Sequence, residues 1–415
     1  MAERTRDLLV VQPTGAGKTI PIMMAALNES ERNRGLVTLM IAPLLALVSD
    51  LFKRMKAAGI RVVKWAEMKE GATTTSAAVI LVNVDSAVTD AFLTFARNLH
   101  SSKLLARLII DEVHYGLTAI HYRPLIQVLC QIRAIAPVQM LLQTASLPPS
   151  ETRGLIEMLR LSTTSTVLIR QSVVRPNIRH SLSRLMRAES GNIARFCNDA
   201  GDIWTVDRYI RHFDQKLSPR DRILVFCLSI KNVENLSRAL SCRYVHAKVP
   251  NRDEVLQQWM SGSGSRILVA TCCISAGVDY SSVRMVLHWG APQSMIDMDQ
   301  EIGRAGRDGE VADSVVLWDP EAQGFDGKEK AIPGEREQTK WLENGTSQCL
   351  RRGICRYIDG CERSCLDMGI VILCKTCEKV SGVLCHSYLP RSDPLSYTEC
   401  SGLFGYHLVF KVLSS

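Results

Sequence analysis

The sequence predicts an α/β protein with two tandem parallel-sheet domains followed by a small helical, cysteine-rich module. Three observations carry this. Short, fully apolar runs alternate with amphipathic stretches of helical length, as expected for parallel strands covered by helices on both faces. That series stops at a polar stretch around Ser162 to Ser165 and starts again beyond Pro176, which forces an extended residue before it. The 14 cysteines are lopsided, with six before residue 349 and eight from Cys349 to Cys400.

Taken in order, Leu8–Val11, Val37–Ile41, Val79–Val82, Leu108–Ile110 and Met140–Leu142 read as buried strands, with helices at Thr19–Asn28, Leu44–Ala58 and Pro124–Ala134. The second series offers strands at Ile223–Cys227, Ile267–Ala270, Met285–Leu287 and Ser314–Leu317, and helices at Ile230–Leu240 and Asn251–Met260. The boundaries expected are residues 1–170, 171–320 and 321–415, with a linker near Arg170 to Asn177.

A chain of 415 residues has room for two or three such domains. Apolar residues at 46% and charged residues at 22% exclude a disordered or coiled-coil protein. No apolar run approaches the ~18 residues that span a bilayer, and the start of the chain has no signal-peptide core, so no membrane partner is expected. The net charge of +8 lies mostly in residues 1–170, with 19 basic against 13 acidic side chains, which suits a polyanionic partner.

The strand Leu8–Val11 runs into Gln12-Pro13-Thr14-Gly15-Ala16-Gly17-Lys18-Thr19 and then into a helix. Glycines let the backbone turn its N–H groups onto a phosphate, Lys18 reaches the β- and γ-phosphates, and the Thr19 hydroxyl ligates Mg²⁺. Gln12 stands where the strict loop pattern has glycine; Gly15, Gly17, Lys18 and Thr19 conform to it. About 90 residues on, Leu108 to Ile110 deliver Asp111 and Glu112 at a strand end, where a doubly wound sheet places its ligand chemistry. Asp111 suits Mg²⁺, directly or through water, and Glu112 suits the attacking water. In the second series, Arg304 and Arg307 are expected on one face of a helix, as guanidinium groups for a γ-phosphate.

These residues resemble superfamily 2 helicases, and among them the RecQ-like DNA helicases. QPTGAGKT, DEVH, LQTASLPPS, VATCCISAGVDYSSVRMVLHWGAP and QEIGRAGRDG occur in the family's order, and RQSVVRPNIR resembles the joint between its two RecA-like lobes. The likeness covers roughly residues 8–380 and is far more specific than any single motif. It implies ATP contacts from Thr14, Gly15, Ala16, Gly17, Lys18, Thr19 and Gln300, catalysis by Lys18, Asp111, Glu112, Arg304 and Arg307, and Mg²⁺ at Thr19 and Asp111. Pro43, Thr144 and Ser146 would touch or couple to DNA, and Gly277 and Asp279 fall in a segment that links both sites. His114 would couple the ATP and DNA sites.

The family pattern also carries an upstream adenine-binding glutamine motif, an aromatic loop after the acidic box and a winged-helix domain. Here only seven residues precede Leu8, the loop reads Tyr115 to Pro124 with His121 and Tyr122 as candidate base-stacking residues, and the chain stops after the cysteine region. The chain therefore reads as a family member shortened at both ends.

In the cysteine-rich stretch, Cys374-Lys375-Thr376-Cys377 has zinc-knuckle spacing, and four thiolates make a closed structural site. The resemblance selects Cys349, Cys365, Cys374 and Cys377 for Zn²⁺, with Cys361 as the rival of Cys365 and Cys355 read as a core residue. The expected function is ATP-dependent 3′-to-5′ unwinding of DNA, single-stranded and forked duplex, in nuclear recombination and repair. The alternatives are a DNA-stimulated ATPase or translocase that does not unwind, and a non-catalytic DNA-binding remnant.

Overall fold

A computed structural model describes residues 6–31, 35–68, 77–118, 125–186, 194–197, 202–274, 279–320, 332–345, 347–381 and 409–412. The chain divides into two compact units, residues 1–173 with 406–415, and residues 174–405.

The first unit is built on β1 (Leu8–Val11), β2 (Val37–Ala42), β3 (Val62–Lys64), β4 (Val79–Asn83), β5 (Leu105–Ile110), β6 (Met140–Thr144) and β7 (Val167–Arg170). Across the sheet the order is β7-β1-β6-β5-β2-β4-β3, all parallel. Residues in a strand point alternately to opposite faces, so each central strand feeds two cores. In β5, Leu108 and Ile110 join a cluster with Leu39, Ile41 and Leu142, whereas Ile109 joins Met40 and Leu141 on the other face. Each such fully buried side chain contributes roughly 1.5–3 kcal/mol, and this double burial is why the strands read as unbroken apolar runs.

The second unit holds β8 (Ile178–Met186), β9 (Arg195–Cys197), β10 (Ile203–Thr205), β11 (Arg222–Cys227), β12 (Arg243–Val245), β13 (Ile267–Ala270), β14 (Val283–Trp289) and β15 (Ala312–Trp318). The order is β10-β9-β8-β15-β14-β11-β13-β12, parallel from β8 to β12 and antiparallel at the β8-β9-β10 end. The helix Ile230–Leu240 starts where the Ser229 hydroxyl accepts the Asn232 N–H at 3.1 Å and ends at Ser241 in the left-handed region, φ 52°. A last strand, β16 (Val409–Val412), pairs antiparallel with β7 of the first sheet.

The short strands β3, β7, β9, β10 and β12, and the longer β8, were not expected from the sequence. Most are edge or near-edge strands of mixed polarity with no unbroken apolar run; β7 has only the short run Val167-Leu168-Ile169. The helix expected to carry Arg304 and Arg307 ends sooner: it spans Met295–Ile302, and both arginines follow in consecutive turns that use Gly303, Gly306 and Gly309. No described helix is long and apolar enough to cross a membrane.

The cysteine-rich stretch packs within the second unit. Trp341, 5% exposed, donates its indole N–H to the Leu350 carbonyl at 2.7 Å and so ties the helix Glu335–Asn344 to the helix Leu350–Ile354.

Candidate functional site

In the first unit β1 ends in a loop whose Gly15 and Gly17 take φ of +87° and +79°, values a side chain would strain. The helix Ile20–Glu31 follows, its first turn closed by the Ile20 N–H on the Gly17 carbonyl at 2.9 Å. Thr14, Ala16 and Thr19 belong to the same turns. The Lys18 ammonium folds back over the loop onto the carbonyls of Gln12 and Pro13, at 3.1 and 3.3 Å. Gln12 donates its backbone N–H to the Thr144 carbonyl at 3.1 Å and its side-chain amide to Gln171 at 3.2 Å. The position that departs from the strict pattern therefore fastens the loop to the ends of β6 and β7.

Asp111 and Glu112 leave the end of β5. Asp111 is buried, and burial together with the charge of Glu112 beside it pushes its carboxyl up to about 6, against the pull of the Lys18 charge and a hydrogen bond from Gln143. Lys18 therefore lies within electrostatic reach of Asp111. Gln143 Nε2 donates to Asp111 Oδ1 at 2.9 Å, a contact the motifs did not announce. Glu112 sits at φ 48°, in the left-handed region, with a quarter of its side chain exposed. Two carboxylates that disfavour each other's charge suit a hard divalent cation such as Mg²⁺.

His114 Nδ1 lies 2.7 Å from the Thr144 hydroxyl and 3.3 Å from Glu112 Oε2. One ring nitrogen faces two oxygens, so its single hydrogen bond can pass from one to the other. The Ser146 N–H is donated to the Thr144 hydroxyl at 3.3 Å, and Ser146 is fully buried. Pro43 is buried at the end of β2. The predicted residues of the first unit, from Thr14 to Ser146, thus gather at the C-terminal edge of one parallel sheet.

In the second unit Gln300 lies on the helix Met295–Ile302, and Arg304 is buried in the turn after it. Arg307 pairs with Asp279 and donates Nε to the Gly303 carbonyl at 3.2 Å. Gly277, His121 and Tyr122 lie outside the described residues. Two residues of the expected joint hold this arginine turn. Asn177 Nδ2 donates to the carbonyls of Gly306 and Glu310 at 2.9 and 2.8 Å, and Arg175 Nη2 donates to the carbonyls of Ala305, at 3.3 Å, and Gly306. Burial lowers the Arg175 guanidinium and the positive charge of Arg307 lowers it further.

The thiols of Cys349, Cys365, Cys374 and Cys377 lie within 4.8 Å of one another. Cys361 is outside the group. Sγ separations of 3.6 Å, Cys349 to Cys365, and 3.8 Å, Cys349 to Cys374, match the ~3.8 Å edge of a tetrahedron with ~2.3 Å metal–sulfur bonds, so the residues fit Zn²⁺. Backbone N–H groups of Cys365 and Cys374 point at sulfurs, each at 3.4 Å, and Arg351 Nη1 donates to Cys365 Sγ at 2.8 Å. Hydrogen bonding with Cys365 and Cys374 holds the Cys349 thiol far below the usual range. Cys355 is buried, 1% exposed, and burial raises its thiol to about 12, in keeping with a core role. Cys385 and Cys400 lie outside the described residues.

Comparison with known proteins accords with this geometry. Residues 1–154 match the DEAD/DEAH box helicase model and residues 204–309 match the helicase conserved C-terminal domain model. Curated relatives include ATP-dependent DNA helicase Q-like 4B of Arabidopsis thaliana, 28% identical over 75% of this chain and 27% of its own length. RecQ-like DNA helicase BLM of Xenopus laevis is 25% identical over 75% of this chain and 23% of its own. The chain carries two helicase domains and is similar to RecQ-like DNA helicases.

The chain spans about a quarter of the length of those relatives. Among solved structures, the Mycobacterium smegmatis helicase Lhr bound to ssDNA and AMP-PNP superposes with a TM-score of 0.57 at 21% identity, covering 82% of this chain and 46% of that one. Saccharomyces cerevisiae Dbp5 bound to RNA and ADP BeF3 gives 0.53 at 15% identity, over 76% and 79%. Those likenesses establish the fold: two tandem RecA-like domains, with a cysteine cluster toward the C-terminus.

Proposed function

We propose that the chain is an ATP-dependent DNA helicase motor, coupling ATP hydrolysis to 3′-to-5′ movement along and unwinding of DNA. The observation that carries the reading is the pairing of the glycine loop after β1 with a buried Asp111 and a water-accessible Glu112 after β5, with the charge of Lys18 felt at Asp111. Loop N–H groups and Lys18 bind the phosphates. Thr19 and Asp111 would hold Mg²⁺, which when bound supplies charge neutralisation at the phosphoryl oxygens. Glu112 orients the attacking water and takes its proton.

Arg304, Arg307 and Gln300 are assigned to the nucleotide on the strength of the family resemblance, which also supplies the polarity. His114, hydrogen-bonded to Thr144, carries the state of Glu112 to the segments of Thr144, Ser146 and Pro43, which are assigned with Gly277 and Asp279 to DNA coupling. Zn²⁺ at Cys349, Cys365, Cys374 and Cys377 serves structure. The basic excess of residues 1–170 supports a phosphate-backbone partner and a salt-sensitive affinity. A nuclear location, in recombination and repair, follows from that substrate.

The test is ATP hydrolysis with and without single-stranded DNA, then strand displacement on a forked duplex. DNA-stimulated hydrolysis that is lost in Lys18→Ala and Glu112→Gln supports the reading. A folded wild-type chain with no such hydrolysis overturns it, and hydrolysis without displacement reduces it to a translocase.

A further inference from the structure

Arg351 is 1% exposed and its guanidinium spans two parts of the second unit. Nη1 donates to Cys365 Sγ at 2.8 Å; Nη2 donates to the carbonyls of Arg175, at 3.3 Å, and Ile178. Ile178 opens β8, and Arg175 stands just before it. The Arg175 side chain in turn donates to the carbonyls of Ala305 and Gly306, between Arg304 and Arg307. From the thiol cluster to the arginine turn there are therefore two side chains, each a rigid planar donor fork, and each charge-assisted bond is stronger than a neutral one. Gly306 leaves the turn little freedom to relax elsewhere: at φ 54° it packs so closely that a Cβ would stand 2.6 Å from Asn177 Nδ2 and 2.7 Å from the Glu310 carbonyl.

We infer that Arg175 is a positioning residue for the turn bearing Arg304 and Arg307, and that Arg351 makes that positioning depend on an ordered, metal-bound thiolate cluster. Four sulfurs gathered on one metal fix the place of Cys365 Sγ and so the guanidinium that donates to it, which in turn fixes the carbonyls of Arg175 and Ile178 and with them the start of the Arg175 fork. Loss of the metal loosens the acceptor first and the turn last. The consequence for turnover rests on the function proposed above; the mechanical link does not.

The experiment follows backbone hydrogen exchange at residues 303–309, zinc content, and kcat and KM for ATP, in the full chain and in Arg175→Met, Arg175→Lys and Arg351→Met. In the wild type, a zinc chelator should speed exchange at 303–309 by about tenfold while the central strands β11 and β14 stay protected, the loss of one or two charged hydrogen bonds. Arg175→Met should show that fast exchange with zinc still bound, gain nothing on chelation, and lower kcat by about tenfold with KM little changed, with partial recovery in Arg175→Lys. Arg351→Met should lose zinc faster and exchange faster at 303–309. Exchange at 303–309 that ignores both the chelator and Arg175→Met overturns the inference. If the wild type hydrolyses no ATP, the proposed function fails, and the exchange experiment still decides the link.

Discussion

The side-chain amide of Gln143, on β6, donates to Oδ1 of Asp111 at the end of the neighbouring β5, 2.9 Å away. This fixes one oxygen of a buried carboxylate and favours its charged form. Gln143→Leu keeps the bulk and removes the donor. The Mg²⁺ concentration for half-maximal ATP hydrolysis should rise about three- to tenfold, the worth of one hydrogen bond to a charged group. An unchanged Mg²⁺ requirement would show that Asp111 is held by other means.

Asp111 also makes the first unit less stable than it need be. Its folded pKa, about 6, lies above the ordinary aspartate value of 3.8, so between those values the folded state holds more protons than the unfolded one. Stability then declines as pH rises through that window and stays reduced above it. In metal-free protein, Asp111→Asn should therefore raise the unfolding free energy at pH 7 to 8 by at most ~3 kcal/mol, seen as a higher thermal midpoint, with the difference vanishing below about pH 4. ATP hydrolysis should be lost in the same variant. A midpoint lower than wild type at pH 8 would contradict the burial argument.

His114 shares one ring nitrogen between Thr144 and Glu112. Thr144→Val removes the hydroxyl and keeps the shape. The ratio of DNA-stimulated to unstimulated hydrolysis should fall by about tenfold, in line with the loss of a buried hydrogen bond. A ratio equal to wild type would rule out this route for the coupling.

The geometry separates the two rival cysteines. Cys365→Ser should lower bound zinc well below one per chain and destabilise the second unit by several kcal/mol, on the order expected for a structural metal site. Cys361→Ser, outside the thiol group, should leave zinc content and melting near wild type. Equal zinc loss in both would refute the assignment.

Gly306→Ala places a methyl group 2.6 Å from Asn177 Nδ2 at a positive φ. The strain should cost about 1–3 kcal/mol, seen in urea unfolding of the second unit. Asn177→Ala in the same chain removes the crowding atom and should lessen the added penalty; strictly additive losses would count against this packing.

The central strands were legible because burial on both faces leaves them no polar positions, as at Leu108, Ile109 and Ile110. The chemistry of the loop, the Asp111–Glu112 pair and the cysteine knuckle was legible because backbone turns and metal ligation demand particular residues at particular spacings. Edge strands such as β10 were not, since half-exposed Ile203, Trp204 and Thr205 carry no apolar run. Gln143, Arg175, Asn177 and Arg351 were illegible for another reason: their roles come from partners far away in sequence, and no local pattern marks a side chain that holds a distant carbonyl or carboxylate. The arginines of the second unit were expected on a helix; Gly303 and Gly306 turn that segment instead.

Glu112 sits at φ 48°, where the backbone penalises most side chains and favours glycine or asparagine. A chain optimised only to fold would place glycine or asparagine there and shed about 1 kcal/mol of strain. Keeping a long carboxylate at that position instead is a standing cost in stability, which Glu112→Gly would relieve.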